Sequence, residues 1–450
     1  MKQIYAIILI LLTATGCKKI LDIDAPIDKV TNDVVFADDA TANLALTGLY
    51  NRMMQNNAHI TSGAMTIYCG LAADEFVNTM PGTDDEFATN SISTSNSVVE
   101  QNFWASAYSL IYHVNSIIEG LELSNGVSAQ MKKQLRGEAK FARSLIYFNL
   151  VNIFGDVPLI ISTNYKENAS SPRKDYLVVY DQMIQDLSDA AEALPVSYAI
   201  NDKTRPTKWS AYSLLSRIYL FKKDWANAKI TSSLVINSGQ YGINNNLAEV
   251  FKQNSNETIF QLKPAIASIN TWEGNQFIPG SGGIPNFTIN AGLLSAFEPN
   301  DLRLSNWIRV TNAGGTNYHY PYKYRVRSGT GDENYIVLRL AEQFLIRAEA
   351  NAQLNNISEA QNDLNTVRQR AGISPTTANT TNDLVSAIED ERRREYFAEW
   401  GFRWIDLKRT DRVNLVLSVI KPNWQPTDAL FPIPIAEIRK NNSLTQNAGY

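Results

Sequence analysis

Trp272 stands in the segment NTWEGNQF, flanked by Gly274 and Asn275, and Tyr318, Tyr320 and Tyr322 crowd around His319 in NYHYPYKY. Sugar rings offer C–H faces to aromatic rings, and their hydroxyls need amide, carboxylate or guanidinium partners. Aromatics mixed with Asn and acidic residues on loops are therefore the side-chain set that holds a saccharide. A second such set follows the triplet Ala73-Asp74-Glu75. Asn78 and the loop residues Thr83, Asp84, Asp85 and Glu86 can supply hydrogen bonds, with Phe76 or Phe87 as apolar contacts. Phe76 also reads as a core residue, and a tyrosine-rich strand also reads as packing. Trp307 differs, because the alternation in LSNWIRV around it reads as a half-buried strand.

Groups for turnover are sparse. Acid pairs occur at Asp74 with Glu75 and at Asp84 with Asp85, but glycoside hydrolysis needs two carboxylates facing each other across a cleft at a defined gap. His59, His113 and His319 are scattered without a metal-ligand spacing, and His113 lies in an apolar helix where a core role is expected. There is no GxSxG elbow and no phosphate loop, and Cys69 has no partner base in view. The pattern predicts binding without catalysis, cofactor or metal. A surface-anchored glycoside hydrolase and a helical-repeat adaptor between proteins are the rival classes.

The elements that must position these residues are mostly helical. With 450 residues and 44% hydrophobic content the chain can bury a large core, while a net charge of -4 and the lack of any long Lys/Arg run exclude a nucleic-acid binder. At the N-terminus, Lys2, an apolar run over residues 4–12 and the small residues Ala14, Thr15 and Gly16 lead to Cys17. That layout predicts a lipoprotein signal over residues 1–16, lipidation at Cys17 and a tether over 17–30. The run is too short to span a bilayer. Only Cys69 would then remain as a free thiol.

Helical spacing marks residues 36–54, 103–122, 138–154, 176–194, 209–237 and 335–370. Residues 79–98 read as a long loop, and residues 239–331, rich in Asn, Gly, Pro, Ser and aromatics, as a loop-dominated insertion with some strand pairing. Residues 214–228 align with 346–360, small residues alternating with large ones across two helices and a short turn, as tetratricopeptide-like hairpins require. Residues 388–412 place Ile388, Tyr396, Phe397, Trp400 and Trp404 on one broad face, with Glu389, Arg392, Arg393, Glu395 and Glu399 on others. This predicts a seam of core and ion pairs, with Gly401 permitting a turn or a close approach.

In order along the chain come Cys17 followed by ILDIDAP, then FWASAYSLIYHVNSIIEGL, EAKFARSLIYFNLVNIFGDVPLI, SNETIFQL, AFEPNDLR, LRLAEQFLIRAEANAQLNN, ERRREYFAEWGFRWIDLKR, PIPIAEI and QNAGY. Together these segments resemble the SusD/RagB family of outer-membrane nutrient-binding lipoproteins of Bacteroidetes. The resemblance implies an all-α fold of tetratricopeptide-like hairpins over residues 31–450, with the helical core at 31–238 and 332–412 and the irregular insertion at 239–331. It implies a SusC-like TonB-dependent transporter as partner, an oligosaccharide or in some members a peptide as ligand, and a lipid anchor in the outer membrane. Starch-binding relatives carry stacking tryptophans just beyond a segment like Ala73-Asp74-Glu75. Here those places fall near Asn78 and Met80, a departure that argues against starch itself.

Overall fold

The computed structural model describes residues 32–55, 58–198, 201–280 and 283–450. Cys17, the expected signal and the expected tether lie outside them. Helices α1 (Asp39–Gln55) and α2 (Ala64–Ala72) lead to the short strand β1 (Phe76–Asn78). Then come α3 (Ser106–Leu123), α4 (Ala129–Phe154), α5 (Tyr176–Ala193), α6 (Lys208–Phe221) and α7 (Trp225–Ile236). After the irregular segment, α10 (Leu340–Gln353), α11 (Ile357–Arg370), α12 (Thr381–Tyr396) and α13 (Phe402–Arg409) complete the helical body. Between them lie β2 (Thr258–Leu262), α8 (Trp272–Phe277), β3 (Phe287–Ile289), α9 (Leu302–Trp307), β4 (Ile308–Ala313), β5 (Thr316–Pro321) and β6 (Tyr335–Arg339).

Each long helix begins and ends for local reasons. The Ser128 hydroxyl accepts from the Met131 amide at 3.3 Å to open α4, and Gly155, at φ 70°, closes it. Asp224 caps α7 in the same way through the Asn227 amide at 3.1 Å. Consecutive helices pack as a series: α3 on α4, α4 on α5, α5 on α6, α6 on α7, and then α7 directly on α10 and α10 on α11. The stack thus continues across the intervening segment as if it were absent.

Leu220, Ala228, Ile346 and Ala350 form a small separate core at that junction, with Trp225 against it. These are positions of the aligned repeat, and the alanines allow α7 and α10 to approach closely. The fold is all-α with tetratricopeptide-like hairpins, and the strands are short: β2 pairs with β6, β1 with β3, and β4 with β5, all antiparallel.

Ion pairs clamp the stack from inside. Arg143 on α4 reaches Asp186 on α5 through Nε and Nη2, both at 2.8 Å, and Asn115 on α3 through Nη1 at 2.8 Å, tying three helices. Arg217 on α6 grips Glu342 on α10 at 2.6 and 2.7 Å. Planar guanidinium groups suit such two-point contacts in low-dielectric surroundings.

The region 388–412 is two helices rather than one. Helix α12 ends at Tyr396, and Ala398, Trp400 and Gly401 all take positive φ before α13 begins. The single aromatic face expected to run on to Trp404 is therefore broken. The Trp400 amide donates to Thr66 Oγ1 at 3.0 Å and its indole to the Ile336 carbonyl at 2.8 Å, which locks the turn onto α2 and β6. A Cβ at Gly401 would lie 2.5 Å from both Cys69 Cβ and the Met65 carbonyl oxygen, so glycine provides the turn and the close approach together.

Charges here are as buried as the aromatics. Glu391 and Glu395 are fully buried. Glu395 accepts from Arg303 at 3.0 Å, from Arg339 at 2.6 Å and from Arg370. Burial alone would raise the Glu395 carboxyl, but Arg370, Arg339, Arg303 and Lys323 together hold it well below the usual carboxylate range.

Three further expectations need correction. Residues 335–339, expected to be helical, form strand β6. Trp307 is the last residue of helix α9, fully buried, with its indole donating to the Leu247 carbonyl at 2.9 Å; the strand begins only at Ile308. His113 is only partly buried, with Tyr112 edge-on at 6.0 Å, so it is not a core residue.

Candidate functional site

Strand β1 fixes the first part of the site. Phe76 lies opposite Ile289, Val77 opposite Thr288 and Asn78 opposite Phe287. The pairing is extended by the Thr79 amide and hydroxyl, which both donate to the Asn286 carbonyl, at 3.0 and 2.9 Å. The short helix α8 joins this strand pair through Phe277, whose ring centroid lies 4.9 Å from that of Phe76 and 6.3 Å from that of Phe287. Thr271 caps α8 by accepting from the Gly274 amide at 3.1 Å. Three phenylalanines thus fuse one helix and two strands, and Trp272, Asn275 and Gln276 are carried on that unit.

Trp272 rests on Gly63. A Cβ there would come within 2.4 Å of the indole Cδ1 and 2.7 Å of Trp272 Cβ, and Gly63 has φ 94°. The indole remains partly exposed. Beside it runs a row of amides. Asn286 Nδ2 donates to Gln276 Oε1 at 2.9 Å, Gln276 Nε2 to Asn275 Oδ1 at 2.8 Å, and Asn275 Nδ2 to the Arg327 carbonyl at 3.4 Å. Gln276 and Asn286 escaped the sequence reading. Local sequence offers only the Thr271 cap, which sets the phase of α8; the pairing that brings Asn286 to Gln276 is not local.

The other expected residues take varied places. Asn78 is partly buried and committed: Nδ2 donates to Asp85 Oδ1 at 2.7 Å while Oδ1 accepts from the Met80 amide at 3.0 Å. It braces the loop, with Asp85 Oδ2 also accepting from the Gly82 amide at 3.1 Å. Asp84, partly buried, has its carboxyl raised by burial and by Asp85. Phe76 is buried under the surface. Exposed apolar atoms come instead from Val77 and Met80, and from Ile284 ahead of β3.

The β4–β5 hairpin leans on β3. Tyr318, partly buried, lies opposite Thr311, and Tyr320, buried, lies opposite Arg309. The ring of Tyr322 takes the guanidinium carbons of Arg309 and Arg325 at 5.1 and 5.4 Å. The fold therefore brings Phe76, Asn78 and Trp272 into one unit, with the tyrosine hairpin along its edge.

Two carboxylates are buried close to these elements. Glu75, immediately before β1, is pushed up to about 8 by burial and by Asp74, and neither of its oxygens has a hydrogen-bond partner among the described residues. Glu273 on α8 is pushed up to about 7 by burial, against the pull of the Thr66 and Tyr335 hydroxyls. Among the described residues no group of three or more His, Cys, Asp or Glu is placed to hold a metal.

The arrangement is an aromatic and amide surface. Clefts with room for a small molecule, of about 340, 330 and 560 Å³, lie elsewhere, and none has Trp272, Asn78 or Tyr318 in its wall.

A family profile described as starch-binding associating with outer membrane matches residues 19–220, and the SusD family profile matches 299–450. The chain belongs to the SusD/RagB family. A SusD-like protein of Formosa agariphila is 22% identical over 529 residues, covering 100% of this chain and 99% of its own. A SusD superfamily protein from Bacteroides vulgatus superposes with a TM-score of 0.82 at 22% identity, over 92% of this chain and 100% of that one. A laminarin-binding SusD-like protein gives 0.78 at 23% identity, over 92% and 100%. These neighbours share the SusD fold, and none of the described helices is long and apolar enough to cross a membrane.

Proposed function

We propose that this SusD-family chain is a cell-surface lipoprotein that captures oligosaccharides and passes them, chemically unchanged, to a SusC-like TonB-dependent transporter. The observation that carries the reading is Trp272, backed by Gly63 and bordered by the Asn275–Gln276–Asn286 amide row. A flat ring can take the C–H face of a sugar while neighbouring amides pair with its hydroxyls. Asn78 and Asp84 support the adjoining loop. Phe76 holds the surface from beneath, and Tyr318 and Tyr320 form its hairpin edge.

The laminarin-binding neighbour and the family's description as starch-binding support a glycan as ligand. In this reading the helical body at 31–238 and 332–412 is scaffold, and the segment 239–331 carries most of the ligand surface. Fatty acylation of Cys17 holds the chain at the outer membrane. Asp85 has both carboxylate oxygens engaged in holding the adjoining loop, by Asn78 Nδ2 and the Gly82 amide.

A glycan and peptide array probed with the chain lacking its first 17 residues tests the ligand class. Retention of oligosaccharides supports the proposal. Retention of peptides alone replaces it with the peptide-binding alternative. Mass spectrometry of the mature chain that found no lipid on Cys17 would remove the anchor.

A further inference from the structure

A cleft of about 560 Å³ opens between the C-terminal end of α4, the N-terminal end of α5, the end of α13 and the chain terminus. It lies apart from the Trp272 surface and shares no residue with it. Among the described residues, Lys408 and Arg173 in its wall have no carboxylate oxygen within 4.0 Å. Lys408 donates to the Asn152 carbonyl, and no acidic oxygen lies within 4.0 Å of its ammonium among the described residues.

Among the described residues Arg173 donates to neutral oxygens: the carbonyls of Asp156 at 2.8 Å, Thr445 at 3.0 Å and Phe154 at 3.3 Å, and Asn447 Oδ1 at 2.5 Å. The neighbouring charges differ. Arg409 is neutralised by Glu349 at 2.5 Å and Asp406 at 2.6 Å, and Lys223 meets Asp411 at 3.0 Å on the rim. Asp156 also lines the cleft, with Oδ1 accepting from the Tyr176 amide at 2.9 Å. It offsets one of the two cations and leaves the wall with an excess of positive charge.

An ammonium has three donors; Lys408 gives one to the Asn152 carbonyl and lies over the Trp404 ring at 5.5 Å. Arg143, Arg217 and Arg303 are paired with acids, whereas Lys203 and Lys421 donate to backbone carbonyls as Lys408 does; of these three lysines Lys408 is the one in the wall of this cleft. Burial pushes the Lys408 ammonium down to about 7, with no carboxylate near enough to restore it. A cation in that position gains most from an anion brought by a ligand.

The cleft also has an apolar platform. Tyr176 is 45% exposed and stands edge-on to the buried Tyr180 at 6.0 Å. The opposite wall is pre-formed. Asn447 Nδ2 donates to the carbonyls of Phe154 and Phe431 at 3.0 and 2.7 Å, and Gln446 pairs twice with the Ile433 backbone, at 2.7 Å each way. The volume falls in the range of small-molecule sites.

We propose that this cleft is a second binding site, for a small acidic sugar, whose carboxylate or sulfate sits on the Lys408 ammonium and whose ring lies against Tyr176. The test is calorimetric titration of the mature chain with glucuronate, glucose 6-sulfate, glucose and inorganic sulfate at constant ionic strength. Glucuronate or glucose 6-sulfate binds more tightly than glucose, and the stronger of the two identifies the acidic group. Lys408→Met weakens that ligand by at least about tenfold, the loss expected for one charge-assisted hydrogen bond. Tyr176→Ala, at an exposed position, weakens the acidic sugar but leaves inorganic sulfate unchanged. Lys408→Met leaves the affinity for a neutral oligosaccharide at the Trp272 surface unchanged, which separates this site from the surface proposed above. Equal affinity for glucose and the acidic sugars, no binding of either, or full affinity in a folded Lys408→Met or Tyr176→Ala variant overturns the proposal.

Discussion

Arg339 Nη1 meets Glu395 Oε1 at 2.6 Å, joining the last residue of β6 to the last turn of α12. Around this pair the strands of the irregular segment are tied to the helical stack. Arg339 also reaches Glu257 at 3.0 Å and Glu399 at 2.9 Å, and Arg303 reaches Glu395 from α9. Lys323 enters beside β5, donating to the Glu395 carbonyl at 2.7 Å and to Glu399 Oε1 at 2.5 Å. The unit that carries Trp272 and the tyrosine hairpin therefore rests on a charged joint with almost no solvent in it.

Removing one member of that joint leaves several cations without compensation. Glu395→Gln is expected to destabilise the fold by about 3–5 kcal/mol, the cost typical of breaking a buried pair from one side. The loss reads out as a lower urea midpoint. Because the folded carboxyl lies below its ordinary 4.5, its contribution is present above that value and is lost as pH falls towards the folded pKa. The difference between wild type and variant should therefore shrink in acid. A variant as stable as wild type at pH 7 would mean that the joint is not formed.

Glu75 predicts the opposite sign. Its folded pKa of about 8 lies above the ordinary 4.5, so the neutral acid favours the folded chain. That stability is complete below 4.5 and is lost as pH rises towards 8. Glu75→Gln should match wild type at pH 4 and melt at a higher temperature by pH 8. Parallel melting curves for the two proteins across that range would contradict the buried, unpaired carboxyl.

Gly63 is predicted to hold the ligand surface in shape. Alanine there meets the Trp272 indole and must also adopt φ near 94°. Strain of this kind costs on the order of 1–3 kcal/mol. Gly63→Ala should lower stability by that amount, change the tryptophan near-ultraviolet signal and weaken glycan binding. Unaltered binding and spectra would show that the indole does not depend on this support.

The helical body was legible because periodicity reports burial directly. Ala228 of the first repeat copy and Ala350 of the second meet at one junction, though an irregular segment separates their hairpins in the chain. The seam was legible as chemistry but not as geometry. Spacing put Glu395 on a different face from the aromatics, and only the fold shows that α9, β6 and α11 bury that face too. Trp307 misleads because a strand does begin at the next residue, Ile308, and a helix of six residues is too short to show a period. Gln276 and Asn286 were hidden for another reason. Their partnership is made across ten residues by a strand pairing with β1 that no local pattern announces.

The central claim is that the Trp272 surface binds glycan without cleaving it. Calorimetric titration of the mature chain with an array-positive oligosaccharide, followed by chromatography of the recovered ligand, tests both halves together. Saturable binding, an affinity lowered at least about tenfold in Trp272→Ala, and ligand recovered at its original length are expected. Shortened ligand, or equal affinity in wild type and a folded Trp272→Ala variant, would contradict it.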